Sequence, residues 1–507
     1  MFNQFVYICN RLHYCTMINL FLNNTCLAER LSRFFTLVLG VLLLNACTPK
    51  KVTASDFGEN FPLEQMLRIE KSIKEPVFKN KVYNILDFGA VADGKTMATA
   101  SIKKAIETCS KNGGGMVLVP AGKFLSGPIH LESNVNLHVS EGAEILFSTN
   151  PQDFYPLVHT SFEGMELMNY SPLIYAKNKK NIAITGKGTL NGQASSANWW
   201  PWKGKTSEGS IYGWNPGDPS QLDKGNLPAL MDMAENNVPL EQRIFGNGHY
   251  LRPNFIEPFE CENVLIKDVN IINAPFWIIH PLKSKNVIVD GVNIKSHGPN
   301  NDGCDPEYSQ NVLIKNTTFN TGDDCIAIKA GRDAEGRRVG IMTENVIVRD
   351  CKMMDGHGGV VIGSEMSAGV KNVFVYNCFM DSPLLDRAIR LKTNTRRGGT
   401  VDGFYVKNLT VGQVKEAVLH ITMNYAIYGD QKGNNIPTIK NIFLEDVKVK
   451  NGGKYAIFAE GLEQSKIQNI TFKNVTIDKV AENFKLKNVE NLKLINTTIN
   501  NQKIEKP

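Results

Sequence analysis

The 507-residue chain has little net charge, few prolines and no paired-cysteine spacing, and each shortage removes a class of function. Lys and Arg number 56 against 50 Asp and Glu, a formal charge of +6. Arg11, Arg30 and Arg33, less Glu29, place +2 of that in the first 46 residues, leaving about +4 on the rest. That is too little to argue for nucleic acid. Only 22 prolines, with 42% hydrophobic and 21% charged residues, exclude a disordered or collagenous chain. With Cys9, Cys15, Cys26 and Cys47 set aside, the body keeps Cys109, Cys261, Cys304, Cys325, Cys351 and Cys378, with no CxxC pair and no metal-ligand spacing. Cys351 and Cys378 each fall six places after the Asn of a repeated string, which predicts stacked core thiols.

The apolar run Phe34–Leu44 is too short to cross a bilayer as a permanent helix. Arg30 and Arg33 precede it and Asn45-Ala46-Cys47 follows, the pattern of an export signal. LNAC resembles a bacterial lipobox, so Cys47 is expected to carry lipid, with the mature protein in the periplasm or on the outer membrane. Residues 48–80 are read as a linker and N-terminal extension, and residues 81–507 as one domain.

Long amphipathic helices are missing from the second half. In their place stands a recurring phrase: NVLIKDVNI from Asn263, NVIVDGVNI from Asn286, NVLIKNTTF from Asn311, NVIVRDCKM from Asn345 and NVFVYNCFM from Asn372. NIAITGKGT from Asn181 precedes them, and weaker copies start at Asn441, Asn469 and Asn491. Alternating β-branched strands recurring without intervening helices cannot be βα units. A β-sandwich would not repeat one phrase in one register, and a propeller blade needs four strands per repeat. The reading is an all-β, single-domain right-handed parallel β-helix. The repeated Asn suits a coil corner because it tolerates the left-handed backbone and can stack on the next Asn. An amphipathic helix near Ala98–Cys109 is expected to cap the open N-terminal end. A Gly- and Pro-rich excursion at about 203–250, with a helix-like run around Leu230–Glu241, could wall one end of a groove.

Phase along the coils matters more than sequence distance. Asp302 lies 16 residues after Asn286, Asp323 and Asp324 lie 12 and 13 after Asn311, His357 lies 12 after Asn345, and Arg390 lies 18 after Asn372. Alone, an Asp pair is usually a solvated turn and a His a satisfied structural residue. In phase on successive coils they predict three carboxylates, an imidazole and a cationic pair on one surface. Glycines beside the first three sites allow close approach of another backbone or a ligand. Three clustered carboxylates suit inversion at a sugar carbon, one donating a proton and the others activating water, because like charges this close cannot all ionise. Arg390 and Lys392, on one face of a strand, would meet a substrate carboxylate, and both are read as exposed cations of little consequence for folding. That points to an acidic sugar.

The strings NNDGCD, GDDCIAIK, GHG and RLK, in this order, resemble the four signature segments of the glycoside hydrolase family 28 polygalacturonases. DFGAVADG at Asp87–Gly94, GGGMVLVPAG at Gly113–Gly122 and NLHVSEGAEI from Asn136 resemble the opening coils of such enzymes. The resemblance implies inverting hydrolysis of α-1,4-galacturonosidic bonds in polygalacturonate or pectin oligosaccharides, with no metal or other cofactor. It makes Asp323 the general acid, Asp302 and Asp324 the pair activating water, and His357 the group tuning the acid. Arg390 and Lys392 would hold a carboxylate on the leaving-group side, with Tyr425 as a subsite tyrosine and Asn300 also on the substrate. Asn301 departs from the usual Thr and Ala388 from the common Gly. Retention of GHG and RxK argues against rhamnogalacturonan-cutting members. The excursion followed by LRPNF resembles longer bacterial members that act from a chain end. Membrane contact is expected only through the lipid. A pectate lyase predicts calcium dependence and unsaturated products; a polysaccharide-binding β-helix predicts binding without turnover.

Overall fold

The Asn that opens each repeated strand stands in the left-handed region, with φ of 59° at Asn263, 56° at Asn286, 58° at Asn311, 61° at Asn345 and 57° at Asn372. Its side chain donates to the Asn one coil back, at 3.2 Å from Asn286 to Asn263, 3.2 Å from Asn311 to Asn286 and 3.1 Å from Asn345 to Asn311. The expected corner ladder is therefore real, and it locks each coil to the last in register. The computed structural model describes residues 60–205, 211–429 and 432–507. The export signal and Cys47 lie outside the described residues.

The coils stack as a parallel β-helix with three strand columns. In the first, Ile266, Val289, Ile314, Val348, Val375 and Val406 are successive register partners. In the second the partners are Ile271, Ile294, Phe319, Met353, Met380 and Val411. In the third they are Ile256, Ile279, Cys304, Ile326, Val360 and Ile389, the early ones joined by single bridges. All of these side chains are buried and meet along the axis in one apolar core. Period-two alternation supplies that core from all three columns. Among the described residues the strand pairings are parallel except in the hairpin Val158–Phe162/Met165–Asn169 and the terminal pair Thr497–Ile499/Gln502–Ile504. Neither a sandwich nor a propeller has that topology.

Residues 48–80 are expected from sequence to be a linker and N-terminal extension; the described part, from residue 60, is an extension packed on the coils through helix α1 (Leu63–Ser72), not a linker. Outward-facing Leu265, Ile288, Leu313, Ile347, Phe374 and Tyr405 form an apolar ladder on the first column, and Phe61, Met66 and Ile73 pack over it. Covering such a ladder contributes about 1.5–3 kcal/mol per large side chain. The strap is pinned at its start by Phe61 N donating to Glu445 Oε2 (3.1 Å), in its helix by Arg349 Nη2 donating to Glu70 (2.7 Å), and beyond it by Lys267 pairing with Glu75 (3.2 Å). Its partner lies hundreds of residues away.

Helix α2 (Thr99–Lys111) buries Ile102, Ala105, Ile106 and Cys109 over the first coil and caps it as expected. The six body cysteines are all buried free thiols. Helix α3 (Leu227–Glu235) lies in the excursion, and helix α4 (Asp333–Val339) follows the third-column strand Ile326–Ile328. The described part of the excursion is seated on the coils. Leu227 and Leu230 share a buried apolar cluster with Phe162 and Leu167 of the hairpin and with Phe276 and Trp277 of the coils.

Candidate active site

The turns between the second and third columns carry the ionisable residues. Asp302 follows strand Asn293–Ser296, Asp323 and Asp324 follow Thr318–Thr321, and His357 follows Lys352–Met353. Arg390 and Lys392 stand on strand Arg387–Lys392. Backbone bonds fix the order: Gly303 N donates to Asp324 O (3.0 Å), His357 N to Asp323 O (3.2 Å) and Gly359 N to Arg387 O (2.9 Å). Glycine is required for this closeness. A Cβ on Gly356 would stand 2.6 Å from Asp323 O, and one on Gly303 would stand 2.5 Å from Cys325 O. Asn301 serves the turn instead of the substrate, since its buried Oδ1 accepts from Ser296 Oγ (2.5 Å) and Gly298 N (2.9 Å).

The carboxyl oxygens of Asp302, Asp323 and Asp324 come within 4.8 Å of one another. Such a trio could take up a divalent cation, yet each carboxylate also has a cationic partner of its own. His357 Nδ1 lies 2.9 Å from Asp323 Oδ1, Lys392 Nζ 2.7 Å from Asp324 Oδ2, and Lys329 Nζ 3.4 Å from Asp302 Oδ2. Arg390 adds a second contact to Asp324 at 3.5 Å. Tyr425 lies beneath both cations, its ring centre 5.5 Å from the Arg390 guanidinium and 5.3 Å from Lys392 Nζ. The predicted site residues are thus assembled on one surface. Arg390 and Lys392, however, are 8% and 6% exposed, not solvated, because both are packed between buried Asp324 and the Tyr425 ring at the wall of the cleft. Removing either leaves buried Asp324 with a single cationic partner.

The carboxyls titrate apart. Burial, then the neighbouring Asp323 charge, raises Asp302 to about 7. Burial acts on Asp323 as well, but the charge and hydrogen bond of His357, with Lys392 and Lys329 behind, hold it well below the usual carboxylate range. The same pairing raises His357 to about 9. At neutral pH the Asp323–His357 couple is therefore an ion pair, and Asp302 is only partly ionised.

A cleft of about 600 Å³ opens over these groups. Its lining adds Lys203, Tyr212 and Gln221 from the excursion, Glu163 from the hairpin tip, and Trp277, Lys329 and Glu365 from the coils. Asn300 lines it, half-buried, with its Oδ1 accepting from Arg252 Nη2 (2.8 Å). Buried Arg252, from the LRPNF string, also donates to Gln221 Oε1 (3.1 Å), tying the excursion to the turn that carries Asn300. Sequence reasoning passed over Lys329, although it ends the GDDCIAIK string. Its signal was register: Lys329 and Lys392 each directly follow one of the third-column partners Ile328 and Leu391. A chain of buried ion pairs runs on from it through Glu365 (3.3 Å) and Arg397 (3.2 Å) to Asp333 (2.7 Å), and nothing in local sequence marks that chain.

Convergent carboxylates beside a cationic pair, in a cleft on parallel coils, define a β-helical enzyme of acidic carbohydrate. Residues 245–498 match the family described as Glycosyl hydrolases family 28, and residues 82–144 match Rhamnogalacturonase A/epimerase, pectate lyase-like. The chain belongs to glycosyl hydrolases family 28. It is similar to the solved structure of a hyperthermoactive exopolygalacturonase from Thermotoga maritima, at 43% identity and a TM-score of 0.82, covering 87% of this chain and 98% of that one. It is 28% identical to a probable polygalacturonase of Vitis vinifera, over 79% of this chain and 74% of that protein. It is also 28% identical to an exo-poly-alpha-D-galacturonosidase of Dickeya chrysanthemi, over 72% of this chain and 62% of that protein.

Proposed function

We propose that the protein is a polygalacturonase that hydrolyses α-1,4-galacturonosidic bonds with inversion, working from a chain end. The observation carrying this reading is the wall that the excursion adds to the cleft. Beside Asp324, Arg390 and Lys392 stand ready for the carboxylate of the leaving sugar, and the excursion's Lys203, Tyr212 and Gln221 line the same cleft. A groove walled there takes a terminal sugar and lets the rest of the chain leave past Arg390.

In this mechanism Asp323 protonates the glycosidic oxygen as the bond breaks. Asp302 and Asp324 orient water on the opposite face and take its proton, so the new hydroxyl arrives with inverted configuration. The resting charge distribution sets a condition. Asp323 must receive its proton across the 2.9 Å bond to the His357 imidazolium, and Asp302, where protonated, must release its own before accepting one from water. The carboxylate of the bound sugar, arriving beside Arg390 and Lys392, changes the field that holds both protons.

The test is digestion of polygalacturonate with chelator present, by wild type and Asp323→Asn. Saturated galacturonate monomer from wild type alone supports the reading. A rapid viscosity drop with mixed oligomers would sink the chain-end mode, and unsaturated product that needs calcium would move the assignment to a lyase. Binding that survives without reducing ends would leave a polysaccharide-binding β-helix.

We also propose that the chain is exported and lipidated on Cys47, a reading supported by Arg30, Arg33, the apolar run and LNAC. Metabolic labelling with a radioactive fatty acid, lost in Cys47→Ala, tests it; equal labelling of both proteins would count against it.

A further inference from the structure

The third column does not end at Arg390. Arg390 pairs in register with His420, His420 with Phe458, and Phe458 with Lys485, so these four side chains follow one another on the same outer face, leading away from the carboxylates. At about 4.8 Å per coil, that is on the order of 14 Å of surface, enough for about three sugar units. The His420 ring meets the Phe458 ring edge-on at 4.4 Å, and Lys485 Nζ lies 5.0 Å from the Phe458 ring centre.

We propose that this face is an extended subsite for the anionic polysaccharide, holding the uncleaved galacturonate chain on the leaving-group side over His420, Phe458 and Lys485. The inference rests on the polygalacturonase reading and deepens it.

Charge and shape both support the assignment. Of the acidic groups along the track, Asp386 pairs with Arg387 (3.3 Å) and Lys415 (3.7 Å) and Glu460 with Lys487 (3.5 Å), while Glu416 and Glu482, at the strand starts, have no ion-pair partner among the described residues. Lys485 has no ion-pair partner among the described residues, and it is exposed. Burial, together with Arg387, Arg390, Lys392 and Lys485, depresses His420 to about 3, so positive potential prevails around a neutral imidazole. A bound carboxylate is what such a field accommodates. Phe458, half-buried, offers an apolar surface to the C–H face of a sugar between two charged steps. Nothing in the chemistry of the carboxylate trio requires these residues, yet their register continues the site.

The experiment compares kcat/KM on digalacturonate and hexagalacturonate for the full chain, with Lys485→Gln, Lys485→Glu and Phe458→Leu. Because Lys485 is exposed, its variants should fold. The expected result is that the hexamer-to-dimer ratio falls about three- to fivefold for Lys485→Gln, as befits one exposed charge contact, and further for Lys485→Glu. The change should appear in KM for the hexamer. A ratio that stays constant, or equal losses on both substrates, overturns the track while leaving the polygalacturonase reading in place. Calorimetric binding of hexagalacturonate to the same proteins supplies a readout free of turnover. Binding weakened by Lys485→Glu in a protein that hydrolyses neither substrate would uphold the track and overturn the enzymatic reading. Binding indifferent to Lys485 would overturn the track.

Discussion

Replacing Asp302 by Asn should stabilise the protein at pH 8 while abolishing its activity. The Asp302 side chain is 3% exposed, its Oδ1 has no hydrogen-bond partner and its Oδ2 stands 3.4 Å from Lys329. Burial and the Asp323 charge raise it to about 7, against about 3.9 in an unfolded chain. Between about pH 4 and 7 the native state therefore holds a proton that the unfolded state has lost. Stability from this group is fully present below pH 4 and falls as pH rises through 7. Three units at about 1.36 kcal/mol each set a ceiling of about 4 kcal/mol. The attraction of Lys329 is already contained in that value, and solvent reaching the cleft screens the ionised group further, so the expected gain is about 1–3 kcal/mol. Denaturant unfolding of both proteins from pH 4 to 8 measures it. A stability difference that is the same at both ends, or a variant less stable at pH 8, would refute the reasoning.

Lys392→Met should cost stability as well as turnover, on the order of 2–4 kcal/mol in unfolding experiments, because it strips the 2.7 Å partner from buried Asp324 and leaves only Arg390 at 3.5 Å. A variant as stable as wild type would show that the pair is solvated after all. Asn311→Ala should lose about 1–2 kcal/mol and Asn311→Gly less, since the position has φ 58° and two ladder bonds; the two substitutions costing the same would mean that backbone conformation is not the determinant. Proton NMR during digestion should show the β-anomer appearing first. Initial α-anomer would indicate retention and overturn the assignment of Asp302 and Asp324 as the pair that activates water.

Of the fold, the coils were legible because each repeats one phrase in one register, and β-branched alternation points the same residues inward every time. Asn263, Asn286 and Asn311 announced the corner, since few other residues accept that backbone. The strap was not legible. Phe61 and Met66 pack on Leu265, Ile288 and Leu313, and those residues sit on the outward phase, where alternation assigns solvent. Of the site, Asp302, Asp323, Asp324 and His357 could be read because glycine and phase marked them. Lys329 and Arg252 could not, because their work depends on what lies opposite: Asp302 and Glu365 for one, Gln221 and Asn300 for the other.

Sequence alone, then, determined the periodic part of this protein: parallel coils, the Asn ladder, the capping helix and the carboxylates brought into line by a fixed repeat. Tertiary structure decided which of those charges are buried, which cation each carboxylate meets and where the proton rests. Periodicity sets direction and register, which are properties of the chain. Burial and pairing energies depend on atoms from distant coils and loops, and only the folded arrangement supplies them.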